Sequence, residues 1–115
     1  SELDASGLMA RLANDLRGIA VEFKKVDDPA HLDSTLMRLE EVGTDYRTIA
    51  GLLENEIEGG DEAAIAAVAA GRAEVEAAYR QLVANGEAAI AAYPQKARDV
   101  RETLDKFDFW LLADD

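Results

Sequence analysis

The stretch Met9–Val26 reads MARLANDLRGIAVEFKKV, and an apolar side chain recurs in it at every third or fourth position. Such spacing places the apolar side chains along one stripe of an α-helix, which then packs at a shallow angle against neighbouring helices. The same spacing recurs over Leu39–Leu53, Ile65–Leu82 and Ile90–Leu111. Four stripes of similar length predict an all-α fold, an antiparallel up-down-up-down four-helix bundle that forms one domain over residues 1–115.

Capping and turn residues indicate where the first two helices end. The first helix is expected over residues 2–26. Asp28 and Pro29 suit the N-cap and first position of the second helix, because aspartate accepts a free N–H there and proline lacks one. The second helix is expected to run to about Ile57, where the Gly59-Gly60 pair follows.

The second half of the chain contains one turn signal and one proline. Asp61 is the expected N-cap of the third helix, which we expect to end near Ala84 because Asn85-Gly86 favours a left-handed cap and a tight reversal. The fourth helix is then expected over residues 87–112, with a kink near Pro94. The alanine-rich third helix indicates either close packing within the chain or a dimer interface.

Composition limits the function classes. The 115 residues carry a formal net charge of −12, which repels nucleic acid and anionic membrane surfaces and permits a basic protein partner. The chain has no cysteine and only one histidine, His31, which falls at the start of the second helix. Catalytic, metal-binding and nucleotide-binding motifs are absent, so no enzyme activity, cofactor or metal is expected. No apolar run reaches the ~20 residues of a membrane-spanning helix.

Arg72 interrupts the apolar stripe of the third helix. Antiparallel register places it level with Tyr46 and Val100, and it places Phe107 about seven residues away, level with Met9. One hypothesis is an interior polar site in which Arg72 and Tyr46 contact a ligand. The other is that the Arg72 stem lies along the stripe and its charge reaches Glu76 or Asp45 at the surface.

The end of the chain contains more large apolar side chains than one helical stripe can bury. Phe109, Trp110 and Leu112 fall outside the stripe of the fourth helix and are the candidate interaction surface, through which we expect a two-fold homodimer. The alternative is an extended core, with Phe109 packed over Leu3 or Leu8.

Part of the sequence is similar to a known family. The run Met9-x-x-Leu12-x-x-x-Leu16-x-x-Ile19, and the Leu82–Gly86 turn before an alanine-rich helix, resemble the soluble four-helix b-type cytochromes of the periplasm. The resemblance implies a four-helix bundle and makes Met9 the counterpart of the family's methionine haem ligand. The family's histidine ligand lies late in the fourth helix, where this chain has Lys106-Phe107, so the resemblance supports the fold and argues against haem.

These observations together predict a non-enzymatic, acidic protein–protein interaction module, such as an adaptor, small chaperone or structural subunit. The alternative is a carrier of a small molecule or haem-like ligand, with Met9, Tyr46 and Arg72 lining the bundle interior. A cytoplasmic location is expected, and a periplasmic or secreted one stays open because the sequence starts at Ser1.

Overall fold

The computed structural model describes residues 4–107 as four α-helices joined by short connections. They are α1 (Ala5–Lys24), α2 (Pro29–Glu58), α3 (Glu62–Ala92) and α4 (Ala97–Asp105). Strands are absent from this part of the chain, so the prediction of an all-α fold with four helices is confirmed.

The N-caps predicted for the second and third helices form as expected. The Asp28 side chain accepts the His31 N–H at 2.7 Å, and Asp61 accepts the Ala64 N–H at 3.1 Å. Between α2 and α3 the chain reverses at Gly60, whose φ of +79° lies in the region that favours glycine. The capping aspartates and Gly60 therefore determine where α2 ends and where α2 and α3 begin.

The expected turn at Asn85-Gly86 is wrong, because α3 continues through both residues to Ala92. The Asn85 amide donates to the main-chain oxygen of Ala20 at 2.7 Å, which fastens α3 to α1. Gly86 is buried, and a Cβ added there would lie 2.7 Å from a methyl group of Leu104. Asn85 and Gly86, which resemble a turn in the sequence, therefore serve as the contacts of α3 with α1 and α4.

The chain reverses instead at Tyr93 and Pro94. Proline disfavours the helical conformation of the residue before it, and Tyr93 has φ −133° and ψ 70°. A 3₁₀ turn at Pro94–Lys96 follows, and α4 spans only nine residues. The long, kinked fourth helix is therefore not observed within the described residues.

Ion pairs show how the helices run. Arg11–Asp45 and Glu22–Arg38 join α1 and α2 in opposite directions. Arg17–Glu74, with the Asn85–Ala20 hydrogen bond, joins α1 and α3 in the same direction. Lys96 and Lys106, which stand just before and just after α4, pair with Asp33 and Glu40 of α2, so α4 and α2 also run in the same direction. These directions are in keeping with the alternating arrangement expected from the sequence.

The later reversal changes the register of α4. Val100 and Leu104 lie beside Gly86, whereas the register predicted from the sequence placed Val100 level with Arg72. Phe107 packs on Tyr46, with ring centroids 5.1 Å apart, instead of lying level with Met9. Both aromatic rings are fully buried in the single cluster of apolar side chains that forms the core.

Candidate functional site

A groove runs along the surface between α2 and α4. It consists of two adjoining cavities of about 360 and 340 Å³, which share the side chains of Met37, Glu40 and Lys106. We call it the acidic groove. Its lining residues are Asp33, Leu36, Met37, Glu40, Glu41, Thr44, Arg47, Asp99, Glu102, Thr103 and Lys106.

Helical spacing builds the α2 wall of the acidic groove. Asp33, Met37 and Glu40 stand four and three residues apart and therefore share one face of α2. Leu36 is buried and closes the floor. The apolar stripe that holds α2 in the bundle thus leaves its acidic residues along the edge that meets α4.

The α4 wall is set by the side chains that anchor this helix. Val100 and Leu104 are buried one helical turn apart. The positions beside them, Asp99 and Glu102, consequently face the opening toward α2. Thr103 is buried, and its hydroxyl donates to the main-chain oxygen of Asp99 at 2.8 Å.

Negative charge predominates in the acidic groove. Five carboxylates line it against two cationic side chains, Arg47 and Lys106. Within residues 4–107, Asp99 and Glu102 enter no ion pair, whereas the Lys106 ammonium lies 2.7 Å from Glu40. The hydrogen bond and the charge of Lys106 hold the pKa of the Glu40 carboxyl below its ordinary value.

Met37 supplies an apolar contact in the middle of these charges. It is 73% exposed, more than the other exposed large apolar residues Val21, Leu52 and Ile65. It lines both cavities of the acidic groove, so its flexible thioether side chain is available to a partner along the whole opening.

Arg72 and Tyr46, the candidate interior polar site, differ in burial. Arg72 is about one-third exposed, and its Nε donates to Glu76 Oε1 at 3.1 Å. This contact agrees with the hypothesis in which the stem lies along the stripe and the charge reaches Glu76. Tyr46 is fully buried against Phe107, and the other suggested partner of Arg72, Asp45, accepts two hydrogen bonds from Arg11.

The candidate surface of Phe109, Trp110 and Leu112 lies outside the described residues. The homodimer expected through it stays a prediction.

A carboxyl pair between α1 and α2 has no counterpart in the sequence reasoning. Asp15 Oδ2 is buried, and no N–H or O–H of residues 4–107 donates to it, so it can bond to the neighbouring Asp45 carboxyl only when one of the two carries a proton. Burial and the hydrogen bond and negative charge of Asp45 raise the pKa of Asp15 to about 7, while Arg11 opposes the rise. The only signal in the sequence is the position of Asp15 next to Leu16, at the border of the apolar stripe.

The acidic groove was also not predicted from the sequence. Met37 gave a weak signal, because it is a large apolar residue outside the stripe of its helix and is followed by Glu40 and Glu41. The other wall could not be foreseen, since it depends on the position at which α4 begins.

Met9, the counterpart of a haem ligand in the resemblance, packs against α3. It is buried, and a Cβ at Gly71 would lie 3.1 Å from the Met9 Cβ. A cleft of about 190 Å³ opens beside it. Across residues 4–107, no three histidine or acidic side chains form a group that could hold a metal ion.

None of the helices in residues 4–107 has the length and apolar character needed to cross a membrane. No known family, curated protein or solved structure matches the chain.

Proposed function

We propose that this chain is a non-enzymatic, acidic helical module that binds a basic segment of another protein in the acidic groove. The observation that carries the proposal is the exposure of Met37 between two walls of carboxylates. An apolar anchor within a charged rim is the usual composition of a protein-binding surface. The proposed segment carries lysine or arginine on both sides of an apolar residue that packs on Met37.

Charge supports a basic partner in two ways. The net charge of −12 attracts a cationic segment over a distance and raises its rate of association at low salt. Asp99 and Glu102 then offer carboxylates that have no ion-pair partner within the described chain. Binding at these positions therefore does not require the loss of an existing contact.

The non-enzymatic role is inferred from the chemistry of the lining residues. The acidic groove presents carboxylates, a thioether and hydroxyl groups, and the Thr103 hydroxyl is hydrogen-bonded to its own helix. Neither histidine nor lysine is placed to activate a hydroxyl nucleophile, since the lining lysine is ion-paired to Glu40. Such a set suits binding better than covalent catalysis.

A carrier that uses the bundle interior is the rival proposal. Its interior residues Tyr46 and Phe107 fill one layer of the core, and the cleft beside Met9 holds about 190 Å³. Pockets for small molecules usually exceed ~300 Å³. Native mass spectrometry of the purified protein distinguishes the two, because a carrier retains a ligand mass and an interaction module does not.

Peptide binding tests the proposal directly. The probe is a fluorescein-labelled, amidated peptide of lysine, leucine and alanine, about 16 residues long so that it can form a helix. We expect its fluorescence anisotropy to rise with protein concentration and the affinity to fall as salt is added. A peptide with glutamate in place of lysine is the control, and equal binding of both peptides would contradict the proposal.

Variants assign the binding to the acidic groove. Asp99→Asn with Glu102→Gln should weaken the lysine peptide by about three- to ten-fold, because two exposed charges are lost. The matched control is Glu58→Gln with Glu62→Gln, which removes the same charge from exposed positions at the α2–α3 turn. Equal weakening by both pairs would show that the peptide responds to net charge and not to this groove.

The cytoplasmic location and the two-fold dimer through Phe109, Trp110 and Leu112 stay predictions.

A further inference from the structure

Lys106 stands at the point where the two cavities of the acidic groove meet. Its side chain and that of Glu40 line both cavities, and their charged groups are 2.7 Å apart. The contact joins the α4 wall to the α2 wall beside Met37. A basic segment that lies along the whole opening must therefore pass the Lys106–Glu40 ion pair.

The Lys106–Glu40 ion pair is exposed, so another cation can readily replace Lys106 in it. The Lys106 and Glu40 side chains are 43% and 57% exposed. Exposed ion pairs contribute little, because water screens the charges and two flexible side chains must be held in place. A second ammonium or guanidinium group can consequently replace Lys106 at Glu40 at low cost.

The other lysine that joins α4 to α2 differs in both respects. Lys96 is 23% exposed, and both carboxylate oxygens of Asp33 lie within 2.9 and 3.1 Å of its Nζ. It stands at the start of the segment that leads into α4 and does not line the acidic groove. Lys96 fastens the helix, whereas Lys106 reaches into the opening.

We propose that Lys106 is an intramolecular competitor that occupies the position of the partner's central cation until the partner displaces it. The inference rests on the proposed function, since it requires a basic segment in the acidic groove. On binding, a lysine or arginine of that segment takes the carboxylate of Glu40, and the Lys106 side chain turns into solvent. Glu40 is thus paired before and after binding, and Lys106 lowers the affinity for the partner.

Displacement of Lys106 does not require α4 to leave the bundle. Val100 and Phe107 are fully buried, and Leu104 packs beside Gly86. At ~100° per residue, these positions lie about a quarter turn around the helix from those that line the opening. The exchange is therefore a movement of one side chain on a fixed wall.

The inference predicts a gain of binding from the loss of one lysine. Lys106→Gln should strengthen the lysine–leucine–alanine peptide by about two- to five-fold, the range expected for one exposed ion pair. Lys106→Arg keeps the competing charge and should bind like the parent protein. In a Glu40→Gln background, Lys106→Gln should give no comparable gain, because the carboxylate over which the two cations compete is gone.

Arg101→Gln is the matched control. Arg101 lies on α4, pairs with Glu87 of α3 at 3.6 Å, and does not line the acidic groove. It changes the net charge by the same amount and also removes one exposed ion pair. Thermal unfolding of each variant checks that α4 remains folded.

The outcomes separate the two proposals. A parent protein that binds the lysine peptide, with Lys106→Gln stronger than Arg101→Gln only when Glu40 is present, supports the competitor. If the parent binds and the Asp99/Glu102 variant weakens, but Lys106→Gln and Arg101→Gln behave alike, the competitor is refuted and the proposed function stands. Absence of binding by the parent and by every variant overturns both.

Discussion

Helices α1 and α4 both pack against α2 and α3, but they cover very different lengths of that pair. α1 spans 20 residues and buries eight of them, whereas α4 spans nine and buries three. α1 approaches α3 so closely that Met9 contacts Gly71 across the interface. The α4 side is joined to α2 across an open groove by the exposed Lys106–Glu40 ion pair.

If the proposed function holds, the contrast assigns stability to one side of the bundle and binding to the other. Buried apolar area stabilises the fold, and most of the area contributed by these two helices lies on the α1 side. The short α4 leaves one edge of α2 uncovered, with Met37 and the carboxylates around it open to solvent. Substitutions on the α1 side should therefore change unfolding, and those in the acidic groove should change binding.

The largest effect is expected in the α1 core. Leu16 is fully buried, so Leu16→Ala should lower the free energy of unfolding by about 2–5 kcal/mol through lost burial and a residual cavity. Urea denaturation followed by circular dichroism measures the loss. A change below about 1 kcal/mol would show that α1 does not supply the stability we assign to it.

The carboxyl pair on the α1 side should make stability depend on pH. Asp15 has a pKa of about 7 in the fold, against an ordinary value of 3.8. Between these values the folded protein holds a proton that the unfolded chain has released, so the free energy of unfolding falls as pH rises from about 4 to 7. Above pH 7 this part of the stability is fully lost.

Asp15→Asn should remove that dependence, because an amide donates to Asp45 as the protonated carboxyl does. We expect a gain of about 1–3 kcal/mol at pH 8, reduced from the full shift because Asp15 is only partly buried. Urea denaturation at pH 5 and pH 8 gives the comparison. Asp105→Asn, on an exposed position of α4, is the control, and an equal effect of Asp15→Asn at both pH values would refute the shared proton.

An added methyl group should destabilise the close approach of α1 and α3. In Gly71→Ala the new Cβ would lie 3.1 Å from the Met9 Cβ, which is fixed to the α1 backbone, so we expect a loss of about 1–2 kcal/mol. Gly18→Ala is the matched control on α1. Nothing lies within 4 Å of its added Cβ, and the higher helix propensity of alanine should raise stability by about 0.5–1 kcal/mol.

Gly86→Ala extends this comparison to α4. The added Cβ would lie closer to its neighbour, at 2.7 Å, but that neighbour is a terminal methyl group of Leu104 that can turn away. We therefore expect a smaller loss than at Gly71. The opposite order in thermal unfolding would show that α4 is held as rigidly as α1.

The smallest effect on stability is expected at Met37. Met37→Ala should change the free energy of unfolding by less than about 0.5 kcal/mol, because the side chain is mostly in solvent. The same variant should weaken the lysine–leucine–alanine peptide by about two- to ten-fold. Unchanged peptide affinity would remove Met37 from the proposed surface.

The candidate site was less predictable than the fold. Arg72 attracted attention because a charge interrupts an apolar stripe, yet its ion pair with Glu76 lies within its own helix. Met37 and Asp99 carry no comparable mark in the sequence. They line one groove only because two helices that are far apart along the chain lie side by side.

The sequence by itself determined the helical class, the apolar stripes and the ends marked by Asp28, Gly60 and Asp61. Each of these depends on residues within one or two helical turns, where caps, propensities and periodicity act. The path after Ala84 was decided by the tertiary structure. Gly86 remains helical because its missing side chain admits Leu104, and the chain turns at Pro94, where proline restricts the preceding residue. The position of this turn sets where α4 begins and leaves the acidic groove open. It depends on the contact between Gly86 and Leu104, which are 18 positions apart in sequence and therefore beyond the reach of local sequence patterns.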